Sequence, residues 1–199
     1  AVEEGLVSKD TLIDCENGRF RIGRNTISDE HPEKVITVSE VIKVSSNIGA
    51  AKLAFNLGAE RTLGYLKDFG FSRQTNLGLS GEASGRMQRA ETIKPIELAT
   101  TSYGHGVNST TLQLAAAVAT LANEGVRMEP HLVSEIRDPS GVAIRIFEPK
   151  EDRRVVSRET AEETLQMMVT VTEPGGTGTR AAIDGYAVAG KTGTAWKHV

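Results

Sequence analysis

Cys15 is the only cysteine in 199 residues, which excludes an internal disulfide framework. The four histidines, His31, His105, His131 and His198, are scattered with no pair at ligand spacing, so no metal site is expected. Long apolar runs are missing too. The longest, Leu112 to Ala122, is interrupted by Gln113 and falls short of the ~20 residues a membrane helix needs. No leader peptide precedes Ala1, so the chain is expected to carry no address of its own. Nor is there an excess of positive charge: the net charge is −3 with acids and bases interspersed, which leaves no footprint for a nucleic-acid partner.

What remains is an ordinary globular composition with enough apolar side chains for one sizeable core. Ala1 to Gly5 reads as the last turn of a helix closed by glycine. Asn17-Gly18 reads as a turn between two extended pieces, Thr11 to Ile13 and Phe20 to Ile22. Thr37 and Glu40 form a capping box for a short helix ending near Val44. Asn47 to Leu57 is apolar on nearly every side, as a buried helix is, and Ala59 to Phe69 follows after Gly58. Pro95 opens another helix, and the Thr110 and Gln113 capping box starts an Ala-rich one over 111–123, expected to be the central core helix. Leu132 to Ile136 and Val142 to Phe147 read as a hairpin around Asp138-Pro-Ser-Gly141. Ser157 caps a last helix that Pro174-Gly-Gly breaks, and Tyr186 to Lys191 is expected to be a strand.

Gly185 to Thr192 supports two incompatible chemistries. It fits the phosphate-binding spacing G-x-x-x-x-G-K-[ST], and its Lys191-Thr192-Gly193 is the triplet of active-site serine enzymes that react with penicillin. The nucleotide reading needs a strand, a polar loop and a helix in succession. Here the loop position is apolar, Gly193 stands where the helix should begin, and Val199 ends the sequence, so no nucleotide is expected. The triplet needs a second motif. Ser45-Ser46-Asn47 is squeezed between two helices, where side chains are held rigidly. A hydroxyl and an amide fixed two positions apart can relay a proton and orient a carbonyl. The plainer reading is that Ser46 or Asn47 caps the next helix.

Ser-x-Asn followed by Lys-Thr-Gly has the order found in penicillin-binding proteins and β-lactamases. The chain resembles the transpeptidase domain of class B penicillin-binding proteins of the division type. The likeness lies in Val44-Ser-Ser-Asn-Ile-Gly-Ala-Ala-Lys-Leu-Ala54, Thr75-Asn-Leu-Gly-Leu-Ser-Gly-Glu82, Ser102-Tyr-Gly-His-Gly106, Leu112-Gln-Leu114 and Gly190-Lys-Thr-Gly-Thr-Ala195. One departure is Thr110-Thr111, where the family usually has Thr-Pro.

The resemblance implies an α+β, mostly helical fold. It is the helical lobe of the penicillin-binding protein and β-lactamase-like transpeptidase fold, with a hairpin and one strand of the main sheet. It also implies a serine acyl-enzyme that acts on D-Ala-D-Ala stem peptides of peptidoglycan, is inhibited by β-lactams and uses no cofactor. By the same likeness, Ser45 shuttles a proton to the leaving amine and Asn47 holds the substrate amide. Lys191 supplies positive potential, while Thr192 and Thr194 bind the substrate carboxylate. Gly193 leaves room for substrate, and the Thr194 N–H is one oxyanion donor. Divisome membrane proteins are the implied partners, on the extracytoplasmic, periplasmic side of the inner membrane.

The nucleophile is another matter. No lysine in the sequence has a serine three positions before it, so there is no Ser-x-x-Lys. Residues 1–199 are therefore expected to be a partial transpeptidase domain. The nucleophile helix would lie upstream of Ala1 and the last strands beyond Val199, and the chain alone would be inactive. The alternative is a non-catalytic penicillin-binding-like recognition module of the division machinery.

Overall fold

The structure is a computed structural model and describes residues 1–193. At its start the Gly5 N–H donates to the Val2 carbonyl at 2.7 Å and the Leu6 N–H to the Ala1 carbonyl at 3.1 Å, with Gly5 at φ 63°. This paired closure is the Schellman ending of a helix, as the sequence predicts. Four short strands follow: β1 (Leu12–Asp14), β2 (Arg19–Ile22), β3 (Asn25–Ser28) and β4 (Val35–Thr37). The extended pieces are where expected, but they do not pair with each other. β1 pairs antiparallel with β4, and β2 pairs with β3. Glu16–Gly18 is a 3-10 turn instead of a hairpin, and Gly18 is pressed so close to Pro32 that an added Cβ would lie 2.6 Å from the proline Cβ. The tight reversal falls at Gly23-Arg24, where Gly23 takes φ 59°.

The helices come next. α1 (Val38–Lys43) opens on the Thr37 and Glu40 capping box, α2 spans Asn47–Leu57, α3 Ala59–Asp68 and α4 Pro95–Thr101. α5 (Thr111–Ala122) starts on the Thr110 and Gln113 capping box, so Thr111 replaces the family's proline without loss of the helix start. Then come β5 (Val126–Met128), β6 (Glu135–Arg137), β7 (Ala143–Ile146), β8 (Glu151–Arg154) and α6 (Arg158–Val169), capped by Ser157. β5 pairs with β8, and the expected hairpin forms between β6 and β7. Asp138 closes it by accepting from the Ser140 N–H at 2.8 Å and the Val142 N–H at 2.9 Å.

The central helix is α2, not α5. Ile48 and Ala51 are fully buried and pack with Cys15, Ile27, Ile36, Val41 and Ala99. Gly49 lets α1 approach, since a Cβ there would collide with Val41. α5 runs along the outside with Leu114 54% and Val118 45% exposed. The buried side of α5 is partly polar: Gln113 Nε2 donates to the Arg73 and Ser84 carbonyls at 2.6 and 2.8 Å, so this residue organises a loop. Alanine content permits close packing but does not make a helix central.

Tyr186 to Lys191 is not a strand. Tyr186 makes one isolated bridge to Ile183, and no ladder partner runs alongside the segment among the described residues. A strand exists only through its neighbour's hydrogen bonds. The segment hangs instead on the end of α6: the Gly190 N–H donates to the Met168 carbonyl at 3.1 Å, and Thr172 Oγ1 to the Val188 carbonyl at 2.8 Å.

Candidate active site

α1 and α2 are joined by Val44, Ser45 and Ser46 alone, and the reversal is concentrated in Ser45, a non-glycine residue held at φ 60°. A left-handed conformation of this kind costs about 1–3 kcal/mol and persists only where the surroundings impose it. The imposing group is Asp29, just beyond β3. One of its carboxylate oxygens accepts from Ser46 Oγ at 2.7 Å and the other from the Ile48 N–H at 3.0 Å. Ser46 Oγ in turn accepts from the Gly49 N–H at 2.9 Å, so Ser46 is the helix cap. Beside it, Asn47 Nδ2 donates to the Ser28 carbonyl at 3.1 Å. The plain capping reading therefore holds for Ser46, while Ser45 and Asn47 on either side line a cleft of about 950 Å³.

Across that cleft stands Lys191. Its ammonium donates to Ser45 Oγ at 2.7 Å, to the Thr192 carbonyl at 3.1 Å and to Thr192 Oγ1 at 3.4 Å. Three protons thus have three acceptors, and the point charge is fixed. Desolvation in the cleft pushes the Lys191 pKa below the ordinary lysine value, although the residue as a whole stays exposed. No carboxylate among the described residues offsets that effect. Thr192 and Gly193 line the same cleft, whereas Thr194 lies outside the described residues.

Ser102, Tyr103 and His105 form another wall, with the Tyr103 and His105 rings edge to face at 5.4 Å. Burial, and after it the charge of Asp29, raises the Tyr103 phenol pKa. Thr75 to Glu82 is not at the cleft. It closes on itself, with the Thr75 N–H and Oγ1 both 2.6 Å from Glu82 Oε1.

Two positions that brace the cleft escape a reading of the sequence. Asp29 sits in a polar stretch without periodicity, and its only signal is an acid following a strand. Thr177 belongs to a Gly-rich break after α6, yet its Oγ1 lies 2.8 Å from Thr192 Oγ1.

The ammonium of Lys191 on the Ser45 hydroxyl, with the Asn47 carboxamide beside it, brings the Ser-x-Asn and Lys-Thr-Gly motifs together in one open cleft. Residues 1–198 match the family described as the penicillin binding protein transpeptidase domain. The chain belongs to that family. This decides the double reading of Gly185 to Thr192 in favour of the Lys-Thr-Gly triplet. It is 35% identical over 90% of its length to a probable peptidoglycan D,D-transpeptidase PenA of Neisseria meningitidis, covering 29% of that protein. It is likewise 35% identical over 99% of its length to the peptidoglycan D,D-transpeptidase FtsI of Escherichia coli K12, covering 31% of it. The chain therefore spans about 30% of the length of the curated relatives it matches. A solved penicillin-binding protein 3 from Mycobacterium tuberculosis, complexed with aztreonam, superposes with a TM-score of 0.88 at 32% identity over 98% of this chain and 45% of that one. The helical lobe expected from the sequence is thus the fold of this family, here as an α+β part of it.

Lys191 makes the site pH-dependent. Because its pKa is lowered, the folded state releases this proton before the unfolded chain does, so its own contribution to stability rises with pH between the folded value and the ordinary 10.5. Electrostatic assistance runs the other way. If the full-length protein is acylated by benzylpenicillin, the rate is expected to fall on the alkaline side with a midpoint below 10.5. A pH profile checks this, and the limb should vanish in Lys191→Gln.

Proposed function

We propose that the full-length protein is a serine D,D-transpeptidase that cross-links peptidoglycan during cell division and is acylated by β-lactams. The observation that carries the reading is the 2.7 Å contact from Lys191 Nζ to Ser45 Oγ across an open cleft. In this reading a serine attacks the penultimate D-Ala carbonyl, and Ser45 passes a proton to the departing D-Ala amine. The amine of a neighbouring stem peptide then attacks the ester and releases the serine, returning a proton along the same path. Lys191 keeps the Ser45 hydroxyl oriented as a donor, Asn47 holds the donor peptide's amide, and Thr192 with Thr194 binds its carboxylate. Gly193, without a side chain, lets the peptide lie close to the backbone.

The attacking serine is assigned to a Ser-x-x-Lys upstream of Ala1, on the helix whose closing turn is Ala1 to Leu6. Support comes from an apolar groove of about 420 Å³ lined by Val2, Val7, Leu53, Phe69 and Met167. It shares Ile42, Ala50 and Ser102 with the cleft, so a helix lying in it would lead to Ser45 and Lys191. The protein is placed outside the cytoplasm, on the periplasmic side and anchored in the inner membrane by a segment other than these residues, where divisome membrane proteins can reach it.

The test is peptide mapping after labelling with a fluorescent penicillin. The full-length protein is expected to carry the label on a Ser-x-x-Lys serine upstream of Ala1, and the 199-residue chain alone to stay unlabelled. Label within residues 1–199 would show a nucleophile here. A full-length protein that binds peptidoglycan but takes no label would be the recognition module instead.

A further inference from the structure

We infer that Thr177 is a positioning residue that switches the Thr192 hydroxyl into a donor for the substrate carboxylate. The inference rests on the assignment of Thr192 to carboxylate binding. Thr177 lies in the turn that follows α6, and the turn has little freedom. Its Gly178 N–H donates to the Val171 carbonyl at 2.8 Å, and Gly176 is pressed so closely on the Thr170 and Val171 carbonyls that a Cβ there would collide with both. From this turn the Thr177 N–H and Oγ1 reach the Lys43 carbonyl at 3.3 and 3.4 Å, at the end of the helix that leads into Ser45. The same Oγ1 lies 2.8 Å from Thr192 Oγ1. Thr177 therefore links Thr192 to the end of α1, two residues before Ser45, and it lines the cleft itself.

Counting protons shows what this junction does. Each hydroxyl has one proton to give. When Thr177 donates to the Lys43 carbonyl, Thr192 satisfies Thr177 by donating to it, and Thr192 then offers an incoming anion only lone pairs. When Thr177 turns its proton to Thr192 Oγ1, the Thr192 proton is released into the cleft. A carboxylate favours the second arrangement, because the chain Thr177 O–H to Thr192 O–H to carboxylate ends on a charge and each link strengthens the next. The Lys43 bond given up is the longest of the set at 3.4 Å, and the Thr177 N–H still holds that carbonyl at 3.3 Å. Without the Thr177 hydroxyl, Thr192 Oγ1 keeps the Lys191 ammonium as neighbour, but no second hydroxyl selects its rotamer.

The experiment compares benzylpenicillin with its analogue in which the carboxylate is a carboxamide, using the full-length protein and its Thr177→Val, Thr177→Ser and Thr192→Val variants. Thr177→Val is expected to lower the second-order acylation rate for benzylpenicillin roughly tenfold, the size of one charge-assisted hydrogen bond, and to leave the carboxamide rate unchanged. Thr177→Ser, which keeps the hydroxyl, is expected to restore it. Equal slowing of both compounds by Thr177→Val would mean a merely structural role and overturn the inference, as would no slowing of either. Should Thr192→Val discriminate between the compounds while Thr177→Val does not, Thr177 alone is misassigned. Should the wild-type protein treat acid and amide alike, the carboxylate role of Thr192 fails, and this inference falls with it.

Discussion

Replacing Lys191 by alanine in the full-length protein is expected to slow acylation by benzylpenicillin at least ~10²–10³-fold, the usual penalty for losing a preorganised electrostatic group at a reacting centre. The charge is lost, and with it the 2.7 Å contact that orients the Ser45 hydroxyl. Stability should change by no more than about 0.5 kcal/mol, because Lys191 is an exposed residue that packs against little. The relevant measurements are stopped-flow acylation and a urea titration side by side. Unchanged acylation kinetics would remove Lys191 from the site. Thr192→Ala should be milder, on the order of the tenfold expected for Thr177→Val, since one hydroxyl donor to the carboxylate is lost while the Lys191 charge stays.

Asp29→Ala is expected to have the other large effect, on folding and on chemistry together. Its carboxylate is the partner of both Ser46 Oγ and the Ile48 N–H, at 2.7 and 3.0 Å, and the residue is only 9% exposed. Two charge-assisted bonds disappear and two buried donors are stranded, which should cost about 2–4 kcal/mol. Ser45 then loses the bracket that holds it at φ 60°, and acylation should fall with it. Asp29→Asn should keep part of both, as one oxygen can still accept from Ile48 and the amide can donate to Ser46. A shallower loss for alanine than for asparagine would contradict the bracket.

Local rules in the sequence account for much of the lobe. The capping boxes at Thr37 and Thr110, the Ser157 cap, the Gly58 stop and the turn around Asp138 are local hydrogen-bonding devices, and each stands where the residues predict it. Strand pairing was not legible for β1 and β2. Their partners are chosen by burial across the sheet and not by the nearest Asn-Gly, so β1 finds β4 beyond an intervening hairpin. Tyr186 to Lys191 has strand-like residues, but a strand is a property of two segments, and the alternation of one cannot supply the other. For the candidate site, the convergence of Ser45, Asn47 and Lys191 on one cleft was legible through spacing. Asp29 and Thr177 were not, because what they do depends on lying 17 and 134 residues from their partners Ser46 and Lys43, a distance that no local pattern encodes.

The attachment of residues 188–190 to the end of α6 also bears on how the molecule is assembled. Ser45 and Lys191 meet across 146 residues, and holding the ends of so long a loop together carries an entropy cost of about 4 kcal/mol beyond the constant term. The junction of α1 and α2, braced from β3, needs only local partners and can form early on the ribosome. Its opposite wall cannot close until α6 has docked and Lys191, 146 residues after Ser45, has followed, so the two sides of the cleft are made at well-separated stages of synthesis.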